Sequence, residues 1–462
     1  MPLLVLIKIF SITISILVLF SLAVKRPGLS GFFENAALSG IFLFALFIPV
    51  KDGFAVFGMA AAIIFYIAFK IARRDMSIPK TVFNVPLLIY AGIVAASFLW
   101  TYSLKDSLNE GGEALYFILF FFTASALVNS EKRIKFMIYT FTFSICIAII
   151  YGFFQGLAIN ALHSSGRITG LIGNWVGFPV QVSFGLTVII AYYLLDFKNS
   201  GEKNRYASGK ILRAASGIFF AAIILLGFFD IVFAKARSAW IGIIPAVFVL
   251  MYLKSKKLFF AALILLFVLN IGIFSVSKTF KSRIFSMFNP KIYNLRLKNH
   301  GDIESHIALI KSAWAVFERY PLTGVGAGAF SKYFDEHKGV RFPWYYNPNT
   351  GKKIYDLYDN WPENGYMQTL AETGIISFIA LMWLFFLAIK EPVKLFKNSG
   401  DKFKRRISSL AIGASIIFYG SFAGVSNMSN DQLTNLWLFF LALFSAVNNM
   451  SGESEEYVIS KK

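Results

Sequence analysis

The chain has 462 residues, of which 57% are apolar and only 15% are charged. A soluble domain of ordinary composition needs no such apolar excess, so the composition excludes a soluble globular protein and predicts an integral membrane protein. The formal net charge of +20 does not indicate a nucleic-acid partner, because the basic residues are concentrated in short connections between apolar runs.

Continuous apolar runs of membrane-spanning length recur along almost the whole chain. A spanning helix needs about 20 such residues, so the runs predict an all-α, polytopic membrane helix bundle of about 12–13 transmembrane helices. The first run carries Lys8 and is followed by Lys25 and Arg26 rather than by a small-residue cleavage site, so we expect a retained span. The spans are expected at 3–24, 37–50, 54–71, 83–100, 112–128, 133–157, 175–195, 211–233, 238–253, 257–276, 364–389, 407–425 and 433–449.

Basic connections alternate with connections that are poor in basic residues, and by the positive-inside rule the basic ones face the cytoplasm. The basic connections are 70–80, 131–135, 196–213, 254–257 and 390–406. The extracytoplasmic connections are then 101–111, 158–174, 234–237, 277–363 and 426–432. We therefore expect three parts, which are transmembrane helices 1–10 in residues 1–276, an extracytoplasmic (periplasmic) loop in 277–363, and C-terminal spans with a cytoplasmic tail in 364–462.

The long loop contains a stretch with helical periodicity that ends at Pro321. This stretch predicts a lid helix that packs on the bundle, and the glycines of LTGVGAGAF then predict a tight turn. The stripe expected to face the bundle consists of Ile307, Ile310, Trp314 and Phe317.

Positive charges stand out on the extracytoplasmic side, where few are expected. They are Arg167 in SSGRITGLIGNW, Lys235 and Arg237 in FAKARSAW, and His306 and Arg319 in the lid. Arginine binds phosphate oxygens through two parallel hydrogen bonds, so these residues are candidate ligands for a lipid pyrophosphate.

Three of these residues also have a structural alternative, and Lys235 and Arg319 are the weaker candidates. Arg237 is alternatively explained as an interfacial anchor beside Trp240 in an aromatic belt. Arg167 would then be a loop charge on a glycine turn, and His306 a helix-surface or core histidine.

Glu363 and Asn364 stand where the long loop runs into an apolar helix. Asn364 is a good N-cap, and an acid at 363 would meet the positive end of the helix dipole. The alternative is catalytic, with Glu363 accepting the proton of a sugar hydroxyl as a general base. For Tyr366 a structural role is expected.

Several common sites are missing from the sequence. It contains no GxxxxGK[ST] or HExxH motif, its four histidines have no metal-ligand spacing, and Cys146 is its single cysteine. We therefore expect no metal, nucleotide or other cofactor.

The order GRITGLIGNW, ARSAW, YPLTGVGAGAF and ENGYMQTLAETGIISF, spread over about residues 160–390, resembles the O-antigen ligase family with its related polymerases. The resemblance implies a glycosyltransferase of the GT-C type in the bacterial inner membrane, with its active site on the periplasmic face. The donor would be a glycan on undecaprenyl pyrophosphate, and the acceptor a hydroxyl of lipid A core, of a growing glycan or of a protein.

The resemblance also assigns residues. Arg237 would bind the pyrophosphate and Arg167 would line the same cavity. Two positions depart from the family pattern, which commonly has arginine at the place of His306 and often histidine at the place of Glu363. The second exchange keeps a group that accepts a proton, so a base role survives. Ligase and polymerase remain open.

A transporter or flippase of lipid-linked saccharide is the alternative from another functional class, since it also needs a cationic cavity. Transporters usually show two related halves with broken helices in matching places. The long loop 277–363 has no counterpart in the first half of this chain, which favours the enzyme.

Overall fold

The computed structural model describes residues 29–161, 164, 166–194, 207–276, 303–341, 361–362, 364–424 and 431–459. The expected span 3–24 lies outside these residues. Among the described residues the regular secondary structure is helical throughout. The helices are α1 Leu29–Phe47, α2 Asp52–Arg73, α3 Asn84–Ser97, α4 Gly112–Leu127, α5 Glu131–Ala158, α6 Gly177–Val188, α7 Ala207–Ala234, α8 Arg237–Lys254, α9 Lys256–Val276, α10 Ile303–Arg319, α11 Phe330–Arg341, α12 Gly365–Asn398, α13 Lys402–Phe422 and α14 Asp431–Ile459.

The expected architecture is confirmed. Within the described part of the chain, eight helices are long and apolar enough to cross a membrane, and α3 and the stretch that begins with α6 are shorter apolar helices. Each span expected between residues 37 and 449 overlaps one of the helices above. The chain is therefore an all-α, polytopic integral membrane protein.

The centre of the bundle is α14, in which 83% of the segment Leu433–Met450 is buried. Trp437 stacks on Phe418 of α13 at 4.0 Å between ring centroids, and its indole N–H donates to Ser415 Oγ at 3.1 Å. A buried tryptophan needs such a partner for its N–H, so this bond fixes the register of α13 against α14.

One end of the bundle gathers the basic connections, and we call it the basic end. Lys135 at the start of α5 lies 5.5 Å over the Phe403 ring of α13, and Arg406 lies 5.6 Å over Tyr192. Asn449 of α14 donates to Lys80 O at 2.8 Å. The connections predicted to be cytoplasmic at 70–80, 131–135 and 390–406 thus meet at one end.

Helix α10 lies at the other end, which we call the lid end. It packs on the first turns of α12 and on α11 through a small core formed by Leu309, Ala313, Val316, Val325, Ala329, Phe330, Tyr333, Phe334 and Ala371. The predicted lid helix is present, but its packed face differs from the predicted stripe. Its member Trp314 is 45% exposed, because the face that packs is centred on Leu309, Ala313 and Val316.

Helix α12 does not run straight. Gly374 has φ 75° and ψ −174°, and the helix breaks there. In a straight helix Tyr366 and Phe385 would be about 28 Å apart along the axis, yet their ring centroids are 6.1 Å apart. The chain therefore doubles back, with a first arm at 365–373 and a second arm at 375–398. This corrects the expectation of one continuous span over 364–389.

The break is filled by the turn that follows the lid helix. Val325 N–H donates to Ala371 O at 3.0 Å, and Gly326 N–H donates to Glu372 O at 2.9 Å. Ile375 N–H donates to Pro321 O at 2.9 Å. Backbone groups that the helix leaves unpaired at Gly374 are thus satisfied by protein, as a broken membrane helix requires.

The connection between α3 and α4 holds the same turn from the other side. Trp100 Nε1 donates to Thr323 O at 3.1 Å, and Tyr102 N–H donates to Val325 O at 2.8 Å. The Tyr102 hydroxyl also donates to Glu336 of α11, and this hydrogen bond, with a second from Lys332, holds the pKa of the Glu336 carboxyl below its usual value. The turn is therefore a rigid root for the lid.

Candidate active site

Lys235 occupies the turn between α7 and α8, at the lid end. Its backbone has φ 55°, in the left-handed region, and its side chain is 5% exposed. The ammonium donates to Ser164 O at 2.7 Å and to Gly166 O at 2.8 Å. Lys235 thus fastens the segment that carries Arg167 to the turn that carries Arg237.

The Arg167 segment is shaped by a side chain that sequence reasoning missed. Gln155 of α5 accepts from the N–H groups of Thr169 and Gly170 at 3.0 and 2.9 Å. Gly170 has φ 61°, and a Cβ there would overlap the Phe178 ring. The Arg167 guanidinium lies 4.1 Å over the Trp175 ring, so it is held on an aromatic face at the lid end.

Arg237 is the first residue of α8 and is partly exposed. The unpaired N–H groups at a helix start favour an anion, so the position combines a guanidinium with a positive helix end. Trp240 donates from Nε1 to Ile231 O at 3.1 Å. That bond joins α8 to α7, so Trp240 contributes to the packing of these two helices.

The end of α13 connects Arg237 to the beginning of α12. Ser421 Oγ donates to Ser238 O at 3.3 Å, next to Arg237. Two residues further on, Ala423 O accepts from Asn364 Nδ2 at 3.1 Å. The starts of α8 and α12 therefore lie on either side of one helix end.

Asn364 is the N-cap of α12, with its Oδ1 accepting from Met367 N–H at 3.1 Å. Tyr366 donates from its hydroxyl to Tyr419 O at 3.0 Å and packs edge-on against Phe422. These bonds fix the first turn of α12 on α13. The predicted base Glu363 precedes this turn and lies outside the described residues.

The two lid candidates stand far apart. His306 is in the first turn of α10 and Arg319 is its last residue, which separates them by about 20 Å along the axis. Arg319 is exposed and lies 5.7 Å from the Tyr320 ring centroid, near Pro321 and the break in α12. A single compact site therefore has room for one of them, not both.

Asp230 is a second residue that sequence reasoning missed. It is fully buried in α7, and within the described part of the chain neither carboxyl oxygen has a hydrogen-bond partner. A Cβ at Gly152 would lie 2.9 Å from Asp230 Oδ2. An ionisable residue inside a span marks a functional position by default. The signal was available, since Asp230 is the single charged residue between 215 and 234.

The described residues contain no group of three or more His, Cys, Asp or Glu side chains able to hold a metal ion. The groups gathered at the lid end are instead cationic side chains and hydrogen-bond donors, namely those of Arg167, Lys235 and Arg237. Such a set is suited to bind an oxyanion.

Residues 221–382 match the protein family described as O-antigen ligase. The match contains Lys235, Arg237, the lid helix and the broken part of α12, and it leaves Arg167 outside. The resemblance seen in the sequence motifs is confirmed over these residues. Comparison with curated proteins gives no match.

Proposed function

We propose that this membrane enzyme of the O-antigen ligase and polymerase type transfers a glycan from undecaprenyl pyrophosphate to an acceptor hydroxyl. The observation that carries the proposal is the chain of contacts at the lid end. Lys235 fastens the Arg167 segment to the Arg237 turn, and the end of α13 connects that turn to Asn364. Segments that carry the proposed donor ligands are thus linked to the cap of α12 from distant parts of the sequence, which supports the proposal.

On the donor side, Arg237 and Arg167 bind the pyrophosphate. Their guanidinium groups neutralise the charge that grows on the leaving pyrophosphate as the bond between its oxygen and the sugar C1 breaks. Lys235 adds to the positive electrostatic potential at the pyrophosphate. Because its ammonium contacts two backbone carbonyls, its main role is the positioning of Arg167. Arg319 is the weakest of the proposed ligands, because its contacts lie at the far end of the lid helix.

On the acceptor side, Glu363 accepts the proton of the acceptor hydroxyl while the oxygen of that hydroxyl forms the new bond to the sugar C1. Asn364 supports this role by fixing the first turn of α12. His306, at the opposite end of α10 from Arg319, is the second candidate for the proton. The pyrophosphate leaves on the lipid, so the reaction needs no nucleotide.

We further propose that the enzyme lies in the bacterial inner membrane with the lid end on the periplasmic face. The three-part division at residues 276 and 363 follows, with the lid as the extracytoplasmic part. Lipid A core as acceptor would make the protein a ligase, and a growing glycan would make it a polymerase.

The test is transfer by the purified full chain, supplied with an undecaprenyl-pyrophosphate-linked glycan and either lipid A core or a lipid-linked glycan as acceptor. We expect a product without ATP, and the acceptor that is consumed distinguishes ligase from polymerase. A protein that forms no product with either acceptor, but moves the donor across the bilayer of a proteoliposome, would be a flippase and would overturn the proposal.

A further inference from the structure

A groove runs along the lid helix α10, beside the first arm of α12. Its volume is about 430 Å³, within the range of sites for small ligands. The residues that line it are Ile310, Lys311, Trp314, Ala315, Glu318 and Met367. The main proposed donor ligands, Arg237 and Arg167, lie elsewhere, beside the starts of α8 and α6.

Trp314 presents an aromatic ring to this groove. The side chain is 45% exposed, although the helix that carries it packs on the bundle through another face. The indole N–H donates to Glu318 Oε1 at 2.7 Å, one helical turn away. Its ring is 5.3 Å from that of Phe317. The indole is therefore held in one orientation.

Polar groups border the ring. Lys311 offers an ammonium with three donors, and Glu318 offers a carboxylate with further acceptor sites beyond the one that Trp314 uses. A pyranose ring has the complementary pattern, with C–H bonds on one face and hydroxyls around its edge. Charges of both signs beside the tryptophan do not suit an anionic lipid surface, which favours a helix with a basic polar face.

The groove ends beside the beginning of α12. Met367 lines it and is also the residue whose N–H is capped by Asn364. A saccharide that extends along the groove would reach the first turn of α10, which contains His306, and the start of α12, which is capped by Asn364. The acceptor, rather than the donor, has to present its hydroxyl there.

We propose that this groove binds a sugar residue of the acceptor glycan, with one ring face stacked on Trp314 and the hydroxyls hydrogen-bonded to Lys311 and Glu318. The assignment rests on the proposed function, because it is the transfer reaction that requires an acceptor at this place. It adds three binding residues for the acceptor, which the family match does not supply.

Binding is measured first, without transfer. The probe is lipid-free core oligosaccharide, titrated into the detergent-solubilised full chain and followed by saturation-transfer NMR. We expect Trp314→Ala to weaken binding about tenfold or more, equivalent to at least about 1.4 kcal/mol, and Trp314→Phe to retain most of it. The matched control is Trp383→Ala, which removes an indole of similar exposure, 42%, from the second arm of α12. Equal binding by wild type and Trp314→Ala, or an equal loss in Trp383→Ala, would overturn the proposal.

Kinetics separate this inference from the proposed function. In the transfer assay Trp314→Ala should raise the KM for the acceptor about tenfold and leave the KM for the donor unchanged. If the wild type binds the oligosaccharide through Trp314 but transfers nothing, the proposed reaction is wrong and the groove remains a saccharide-binding site. Binding of phosphatidylglycerol vesicles that depends on Trp314, with oligosaccharide binding that does not, would assign the groove to lipid instead.

Discussion

The ammonium of Lys235 makes contacts that differ from those expected of a pyrophosphate ligand. It is almost fully buried and donates to two backbone carbonyls of the Arg167 segment. Lys235→Met keeps the length of the side chain and its apolar stem but leaves these carbonyls without their donor. We expect a loss of about 1–3 kcal/mol in the free energy of unfolding, seen as a lower melting temperature of the ligand-free protein in detergent.

The control for this prediction is Lys235→Arg, which keeps a donor at the same position and should preserve more of the stability. If Lys235→Met melts at the wild-type temperature and loses only transfer, Lys235 acts on the substrate and not on the Arg167 segment.

Arg237 is expected to contact the pyrophosphate directly. Because a point charge cannot reproduce the paired hydrogen bonds of a guanidinium, we expect Arg237→Lys to lower the transfer rate at least about tenfold with an unchanged melting temperature. The matched control is Arg73→Lys, since Arg73 stacks on Phe69 at the end of α2, on the basic side of the bundle. Wild-type transfer by Arg237→Lys would return Arg237 to the role of an interfacial anchor.

Glu363 has either a catalytic or a structural role, and the two roles predict different effects of a substitution. Removal of a general base lowers a rate by about 10²–10⁴-fold, whereas loss of a partner for the helix dipole costs about 0.3–1 kcal/mol and leaves the chemistry intact. We expect Glu363→Gln to be stable and almost inactive in single-turnover transfer, and Glu363→His to keep part of the activity. Transfer by Glu363→Gln within threefold of wild type would move the search for the base to His306.

At the scale of the secondary-structure element, the break at Gly374 decides the shape of the lid end. A Cβ at this position would overlap Leu322 O, and φ 75° is unfavourable for any residue with a side chain. We expect Gly374→Ala to cost more than the roughly 1–3 kcal/mol of backbone strain alone, measured by thermal unfolding. Gly92→Ala in α3 is the control, because a Cβ there meets nothing within 4 Å. Equal melting temperatures for both variants would show that the break does not depend on glycine.

The sequence predicted the helices of the bundle well because each one follows from a continuous apolar run, which is a local property. It could not predict that α12 doubles back. The motif AETG reads as part of a helix, and it is the turn at 321–326, some fifty residues earlier, that occupies the break. The packed face of the lid helix was not predicted for a related reason. Ile310, Trp314 and Phe317 share one helical face, but contacts with α11 and α12 determine which face packs.

The candidate site shows the same division. Arg167, Lys235 and Arg237 were visible as charges where few are expected, and Asn364 as a cap before an apolar run. Gln155 was invisible, because its role depends on two backbone N–H groups, 14 and 15 residues later, in a loop that folds back onto it. Which residues converge on a site is set by tertiary contacts that no local pattern contains.

At the scale of the whole molecule, the two ends of the bundle differ in charge, and this difference predicts the orientation in the membrane. With Cys146→Ser as background, we expect Lys332→Cys to react with an impermeant thiol reagent in intact cells. Lys397→Cys should react only after permeabilisation. Both positions are exposed, Lys332 on α11 at the lid end and Lys397 at the basic end of α12. The reverse labelling pattern would place the lid in the cytoplasm.

The root of the lid also fixes the order in which the protein is completed during synthesis. Trp100 donates to Thr323 O across 223 residues, and Asn364 donates to Ala423 O across a further 59. At a synthesis rate of about 5–20 residues per second, Trp100 waits on the order of 10–45 s for its partner. Asn364 cannot complete its contacts until α13 has emerged. The lid end therefore cannot complete these contacts before α13 has been synthesised, and the contact of Asn449 with Lys80 at the basic end has to wait for α14.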